Sequence, residues 1–268
     1  MIRLSAHLSM LFPEHDLIGR IRAAARCGFK GVEVAFPYDV APALVREGLE
    51  EAGVVMVLIN TPPGRFEAGE RGLAGLPGRE QEFSVQFHQA LATARALGCR
   101  QIHVMAGIAS PDHSAEHHVD TFTANLQWAA PLAHHEGIRV LIEPINQRSV
   151  PGYILSSLDL AQTIVDQVDH PNLALQFDVF HMQIVGGDLV KRFETVLPRV
   201  AHVQIAGVPD RHEPDDSEVN IDYVLRRMDE LGYQGWIGCE YNPRHSTDAG
   251  LAWANRYGIY TPFTVART

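Results

Sequence analysis

The chain has 268 residues, 46% of them hydrophobic and 20% charged, and its 22 Lys and Arg stand against 32 Asp and Glu for a net charge of −10. That apolar fraction excludes a disordered chain, and 22 Gly with 16 Pro exclude collagen-like or low-complexity sequence. An acidic chain repels a polyphosphate backbone, so a nucleic-acid partner is not expected; no stretch approaches the roughly 20 apolar residues of a membrane helix, so a membrane partner is not expected either.

The predicted elements alternate along the chain. The opening MIRLSAHLSMLFPEHD reads as a first strand, IRLSAHL (2–8), and not as a secretory signal. A helix over 15–27 follows, with Leu17, Ile18, Ile21 and Ala25 on one stripe. GFKGVEV (28–34) and GVVMVLIN (53–60) are the next strands. The loop TPPGRFEAGERGLAGLPGRE (61–80) leads into a helix from Glu80 to Gly98, which carries Phe83, Phe87, Leu91 and Ala94 at helical spacing. Strand GCRQIHV (98–104), a helix from Ala115 to His135, strand GIRVLIE (137–143) and a helix from Ser157 to Val168 come next. Strands NLALQFD (172–178) and RVAHVQI (199–205), a helix from Ile221 to Leu231, strand YQGWIGCE (233–240) and a helix from Asp248 to Tyr257 close the series.

Eight strand candidates alternating with helices, at a length near the roughly 250 residues usual for the architecture, predict an α/β fold of one (β/α)8 TIM barrel. It spans 1–258, with a tail over 259–268, and no linker divides it. A doubly wound open sheet would carry a glycine-rich turn after its first strand, and SAHLSMLFPEHD contains no glycine. Cys27, Cys99 and Cys239 lie far apart with no CxxC pair, so neither a disulfide framework nor a thiolate zinc site is suggested, and a reducing, cytoplasmic setting fits.

A parallel barrel places its chemistry at the carboxyl ends of its strands. Glu33, Asn60, Glu143, Asp178, Gln204 and Glu240 stand there, and the last four follow one another by one βα unit at each step. Acidic groups on one rim repel, and a bound cation is the usual offset. The all-oxygen donor set Glu143, Asp178, Gln204 and Glu240 favours one hard divalent metal, Mg²⁺ or Mn²⁺, over Zn²⁺. Strand alternation puts Gln176 beneath Asp178 and His202 beneath Gln204, where they can orient the ligands. His181, three residues after Asp178, is aimed at metal or substrate by one helical turn. The glycine-rich loop 61–80 has the composition of a lid, and its Arg71 together with Arg211 in the loop 207–219 can clamp an anion. The pairs His117–His118 and His134–His135 read as surface.

LSMLF (8–12), GFKGVE (28–33), FPYD (36–39), AGERGLAGLPGRE (68–80), LIEPIN (141–146), QFDVFHMQ (176–183), HVQIA (202–206) and GWIGCEY (235–241) follow one another through nearly the whole chain. In these segments the chain resembles the hydroxypyruvate isomerase family, within the xylose-isomerase-like barrel superfamily, which includes 2-oxo-tetronate isomerases. The resemblance implies one divalent metal on Glu143, Asp178, Gln204 and Glu240, with Glu143 and Glu240 as the proton-transfer pair. Ketose 3-epimerases of the superfamily carry histidine where Gln204 stands. Two departures touch the substrate side: His7 stands on the strand 1 rim where Asn is common, and DDS (215–217) where a Gly-x-Gly often lies.

The expected activity is therefore isomerisation of a small 2-oxo acid through an enediolate, hydroxypyruvate giving tartronate semialdehyde, with a 2-oxo-tetronate or a ketose as alternatives. Substrate contacts are expected from His181, Arg211, Arg71, Asn60 and His7. A metal-dependent phosphodiesterase would need a histidine-rich multi-metal site and a basic face, and a mere sugar-acid binder would not need two flanking glutamates. A homo-oligomer is expected of such a barrel.

Overall fold

The computed structural model describes residues 2–260. Among them eight parallel strands close in sequence order: β1 Arg3–His7, β2 Gly31–Val34, β3 Val55–Asn60, β4 Gln101–His103, β5 Arg139–Ile142, β6 Leu173–Asp178, β7 Val200–Ile205 and β8 Trp236–Cys239. Every predicted strand is present, trimmed at its ends. The strands are almost wholly buried, which is why they read as unbroken apolar runs and not as alternating ones. The barrel expectation holds, and the expected tail over 259–268 lies outside the described residues except for Ile259 and Tyr260.

The helices α1 Leu17–Arg26, α3 Glu80–Leu97, α4 Ala115–His135, α5 Leu158–Val168 and α8 Ile221–Glu230 match the periodic stretches. Side chains fix several starts: Asp16, Ser114, Ser157 and Asn220 each accept a hydrogen bond from the backbone N–H three residues on. Three further helices are not among the expected ones. These are α2 Pro42–Ala52, α6 Val179–Val185 and α7 Leu189–Val196; the last two are seven and eight residues long, shorter than the window in which a 3.6-residue period shows. The expected final helix splits into α9 Thr247–Gly250 and a 3-10 helix Leu251–Tyr257.

Two apolar layers result. The large one lies between strands and helices. The small one fills the amino end of the barrel with Val57, Leu58, Leu141 and Ala174, against Ala201 and Trp236. Above that plug the inward positions turn polar. Register places Asp178 beside Gln204, Gln204 beside Gly238, and Gly238 beside Ser5. No described helix is long and apolar enough to cross a membrane.

All three cysteines are free and buried. Burial pushes the Cys27 thiol up to about 12, with Asp248 adding to the shift; burial also raises Cys99 to about 12 and lifts Cys239. Thiolate is the reactive form, so the folded protein should not react rapidly with Ellman's reagent at pH 8, while the denatured chain should release three equivalents. A fast native thiol would contradict this packing.

Candidate active site

The strand ends carry the site. Glu143 follows β5 directly, Asp178 ends β6, Gln204 lies in β7 and Glu240 follows β8. Parallel strands in a closed barrel therefore bring these side chains to one mouth. Asp178 is fully buried, and its two oxygens are used differently. Oδ1 accepts from the Phe180 N–H at 2.8 Å, which starts α6. Oδ2 faces His181 Nε2 at 3.5 Å and Arg211 Nη2 at 3.5 Å.

Arg211 is the cation of the site. Its Nη2 donates to Glu240 Oε2 at 2.7 Å, and its guanidinium lies 5.1 Å from the Phe180 ring centre. The loop after β7 holds it: Arg211 N–H donates to Gly207 O and Asn242 N–H donates to Arg211 O, both at 2.8 Å. Its φ of 59° is left-handed, so the backbone is turned to aim this side chain inward. His7 Nε2 stands 3.4 Å from the other oxygen of Glu240.

Glu143 is less well served. Its Oε1 is buried with no hydrogen-bond partner, and His103 Nδ1 stands 3.6 Å from Oε2, too far for a hydrogen bond. Burial, then the nearby Asp178 and Glu240, push its carboxyl well above the usual range, against the pull of Arg211. Burial likewise raises Glu240, while Arg211 and His7 pull it down. One guanidinium against three carboxylates leaves the cluster short of positive charge.

Glu143, Asp178 and His181 offer ligand atoms within 4.8 Å of one another, so this buried Glu/Asp/His group can bind a metal. The hydrogen bonds of His181 refine that set. Its Nδ1 faces the Asn146 backbone N–H at 3.3 Å and Asn146 Nδ2 at 2.6 Å. The Ser149 N–H donates to Asn146 Oδ1 at 2.8 Å and so fixes which end of that amide is nitrogen. Nδ1 must therefore accept, and burial, pushing His181 down to about 4, keeps the ring neutral. Its proton sits on Nε2 and points at Asp178. His181 is thus a donor to the cluster, and the orphaned Glu143 oxygen is the atom a cation fits best.

Beneath the mouth lies a second carboxylate. Counting strand-end residues places Glu33 on the rim, but it is wholly buried, with Ser5 Oγ 2.8 Å from Oε1 and His202 Nε2 2.9 Å from Oε2. Burial works to raise its carboxyl; His202, His7 and Ser5 outweigh that and hold it below the ordinary range. Gln204 Nε2 donates to Glu33 Oε2 at 3.1 Å, and Gln204 Oε1 accepts from Gln176 Nε2 at 2.6 Å. So Gln176 and His202 do sit beneath the rim, on Gln204 and Glu33.

Two expected residues stay apart from the carboxylates. Arg71 donates to Phe66 O at 3.1 Å and Glu70 O at 2.7 Å, and its guanidinium lies 3.9 Å from the Phe66 ring centre, within its own loop. Asn60 ends β3, where its carbonyl accepts from the Tyr38 hydroxyl. The loop 61–80 is anchored over its second half. Gly75 N–H donates to Ala106 O at 2.7 Å, and Asn125 Nδ2 donates to Ala74 O at 2.7 Å. Gly72, at φ 106°, sits where a Cβ would fall 2.3 Å from Met105 O. His118 also holds this loop, its Nδ1 donating to Gly75 O at 2.7 Å while Nε2 accepts from Ser110 N–H at 3.1 Å. That corrects the surface reading of His118: adjacent histidines on α4 point to different faces, and the buried one meets a loop distant in sequence. His117, His134 and His135 are exposed as expected.

Residues 21–257 match the family described as xylose isomerase-like TIM barrel. The chain belongs to that family. It is 47% identical over 257 residues to the 2-oxo-tetronate isomerase of Cupriavidus necator, covering 96% of this chain and 99% of that one. It is 41% identical over 257 residues to the hydroxypyruvate isomerase of Escherichia coli, covering 96% and 100%. A crystal structure titled AP endonuclease, family 2, from Brucella melitensis superposes with a TM-score of 0.94 at 44% identity, covering 96% of this chain and all of that one.

In this xylose isomerase-like barrel, sequence reasoning passed over His103 and Asn146. His103 ends β4 as Asp178 ends β6, so the strand-end rule covers it; a search limited to oxygen donors does not. Burial pushes His103 down to about 3, with His181 and His202 adding to the effect. An unfolded histidine titrates near 6.5. Between pH 6.5 and about 3 the unfolded chain therefore binds a proton that folded His103 does not, and stability falls as pH drops through that window. His103→Gln should flatten the decline of the melting temperature between pH 6.5 and 4.5, measured by circular dichroism; parallel declines in variant and parent would contradict a neutral His103.

Proposed function

We propose that the chain isomerises a small 2-oxo acid with a neighbouring hydroxyl, converting hydroxypyruvate to tartronate semialdehyde. The reading is supported by one feature above others: Glu143 and Glu240, on opposite sides of Asp178, share one buried centre with Arg211. The relatives' names point the same way.

The residues that would hold a divalent ion are Glu143, Asp178, Gln204 and Glu240, and their oxygen donors favour Mg²⁺ or Mn²⁺. Such an ion supplies Lewis acidity to the substrate's carbonyl and hydroxyl oxygens and offsets the enediolate charge. One glutamate removes the proton from the hydroxyl-bearing carbon, giving the enediolate. The other glutamate, or the same one, adds a proton to the former carbonyl carbon, and the hydroxyl proton passes to the former carbonyl oxygen. Atoms and charge balance with no external oxidant. Arg211, whose buried Nε has no partner, takes the substrate carboxylate, and His181 donates from Nε2 to a substrate oxygen. His7 steadies Glu240, while Asn60 at the end of β3, and Arg71 once it leaves the Phe66 ring, would meet the far end of the substrate.

A 2-oxo-tetronate, one carbon longer, is the second reading, favoured by the Cupriavidus relative. Phosphodiester hydrolysis is disfavoured by the net charge of −10 and by an oxygen-dominated donor set. Three buried thiols suit a reducing, cytoplasmic setting, and a homo-oligomer with no nucleic-acid or membrane partner completes the proposal.

The test is a panel of small 2-oxo and hydroxy acids with Mg²⁺ or Mn²⁺, product being followed by proton NMR. Turnover should vanish on full chelation and return with the ion; activity that survives chelation sinks the metal requirement. Glu143→Gln and Glu240→Gln should each lose at least ~100-fold in turnover while folding and binding the ion, and should lose exchange of the substrate's carbon-bound hydrogen with deuterated water. If either variant isomerises near the parent rate, that residue is no proton carrier. Arg211→Lys should cost more than ~10-fold in kcat/KM, about 1.4 kcal/mol; parity with the parent on acidic substrates removes Arg211 as the clamp.

A further inference from the structure

We infer that Glu33 is a positioning residue: it fixes the Gln204 side-chain amide so that the oxygen, and not the nitrogen, faces the Glu143–Asp178–Glu240 mouth. The inference rests on the reading of Gln204 as an ion ligand. It concerns a residue that touches neither substrate nor ion.

An amide presents a donor on one side and an acceptor on the other, and a half-turn about its last bond exchanges them. Only the oxygen can ligate a hard cation. An amide ligand is therefore useful only if something settles the half-turn, whereas a carboxylate at the same place would need no such help. Glu33 settles it. Its carboxylate can only accept, and Gln204 Nε2 donates to Oε2 at 3.1 Å. The carboxylate itself cannot turn away, because Ser5 occupies Oε1 at 2.8 Å and His202 shares Oε2 at 2.9 Å.

Strand β8 makes the room. A Cβ at Gly238 would lie 1.9 Å from Glu33 Oε1, so glycine is what lets a glutamate cross the barrel interior at this level. Gly238 is in register with both Ser5 and Gln204, which places the cradle directly beside the amide it orients.

The direction set by Glu33 passes one residue further. With its nitrogen committed, Gln204 turns Oε1 away and accepts from Gln176 Nε2 at 2.6 Å. Gln176 lies two residues before Asp178 on β6, and its own Oε1 is buried with no hydrogen-bond partner. Two amides across β6 and β7 thus donate in the same sense, towards Glu33, and the Gln204 oxygen keeps a second lone pair.

Two readouts test this. The first is the side-chain amide resonance of Gln204 in the ion-free protein, assigned by its loss in Gln204→Met. Its protons should be shifted and protected from exchange by the carboxylate in the parent, and should lose both properties in Glu33→Met, which keeps the volume and removes the acceptor. The second is Mn²⁺ affinity from equilibrium dialysis. Glu33→Met should bind Mn²⁺ at least tenfold more weakly, and Glu33→Gln, which retains an oxygen for Gln204, should recover to within about threefold of the parent. A parent amide that exchanges like an exposed glutamine overturns the inference even if no variant folds. Unchanged Mn²⁺ affinity in Glu33→Met overturns it, and so does a Glu33→Gln as weak as Glu33→Met, since charge and not direction would then be the cause. Parent-like Mn²⁺ affinity in Gln204→Met instead overturns Gln204 as a ligand, while the amide resonance still decides what orients it.

Discussion

Carboxylates buried together repel one another in a medium that screens poorly, and this barrel buries Glu33, Glu143 and Asp178 with Glu240 at their edge. Much of the site's detail follows from how that repulsion is divided. Glu33 is answered completely by Ser5, His202 and Gln204, so it can stay charged and still. Asp178 is answered by a backbone N–H on one oxygen and Arg211 on the other side. Glu240 shares the same guanidinium and has His7 beside it. Glu143 alone keeps an oxygen without a partner. The least satisfied group is the one placed to accept something from outside, an ion or a proton, while the most satisfied group serves as the floor on which the others are built.

Rigidity is graded in the same direction. The floor is made of strand residues in fixed register, and its polar contacts run between strands. The mouth is closed by a loop residue, Arg211, whose left-handed backbone and two flanking hydrogen bonds aim it inward. A guanidinium that partners two carboxylates at once can release one of them to take a substrate anion without leaving the other bare. His181 shows the complementary device, since Asn146 binds its Nδ1 and so dictates which nitrogen carries the proton.

The fold was legible because strand and helix periods are local, and the acidic mouth was legible because a barrel converts equal spacing along the chain into adjacency in space. That logic placed Glu143, Asp178, Gln204 and Glu240 at the carboxyl ends of β5 to β8, where the structure has them, with Gln176 and His202 on the same strands two residues earlier. It failed where pairing is not periodic. Gly238 carries no signal within the strand YQGWIGCE until Glu33 is seen to need the space. His118 reads as surface until Gly75 O arrives from the preceding loop, and Asn146 carries no signal of its own until His181 is placed against it. Each of these depends on a contact between segments whose approach no period encodes. The helices α6 and α7 were hidden for a simpler reason, being too short to display their period.

On the proposed reading, chemistry and selectivity are carried by different parts of the chain. The proposed proton transfer needs two glutamates held at a fixed separation, and β5 and β8, fixed by the two strands between them in a closed barrel, supply that. Discrimination between acids that differ by one carbon needs a wall that can shift by about the length of a bond, and loops supply that. The loop 61–80 is pinned at Gly72 and Gly75, and at its tip Glu70 joins Arg65 to Arg79 while Arg71 is folded back on the Phe66 ring. The loop 207–219 carries Arg211 and is tied to the residues after β8. Relatives named for hydroxypyruvate and for 2-oxo-tetronate both stand at 41 to 47% identity to this chain, as a shared barrel with differing loops allows.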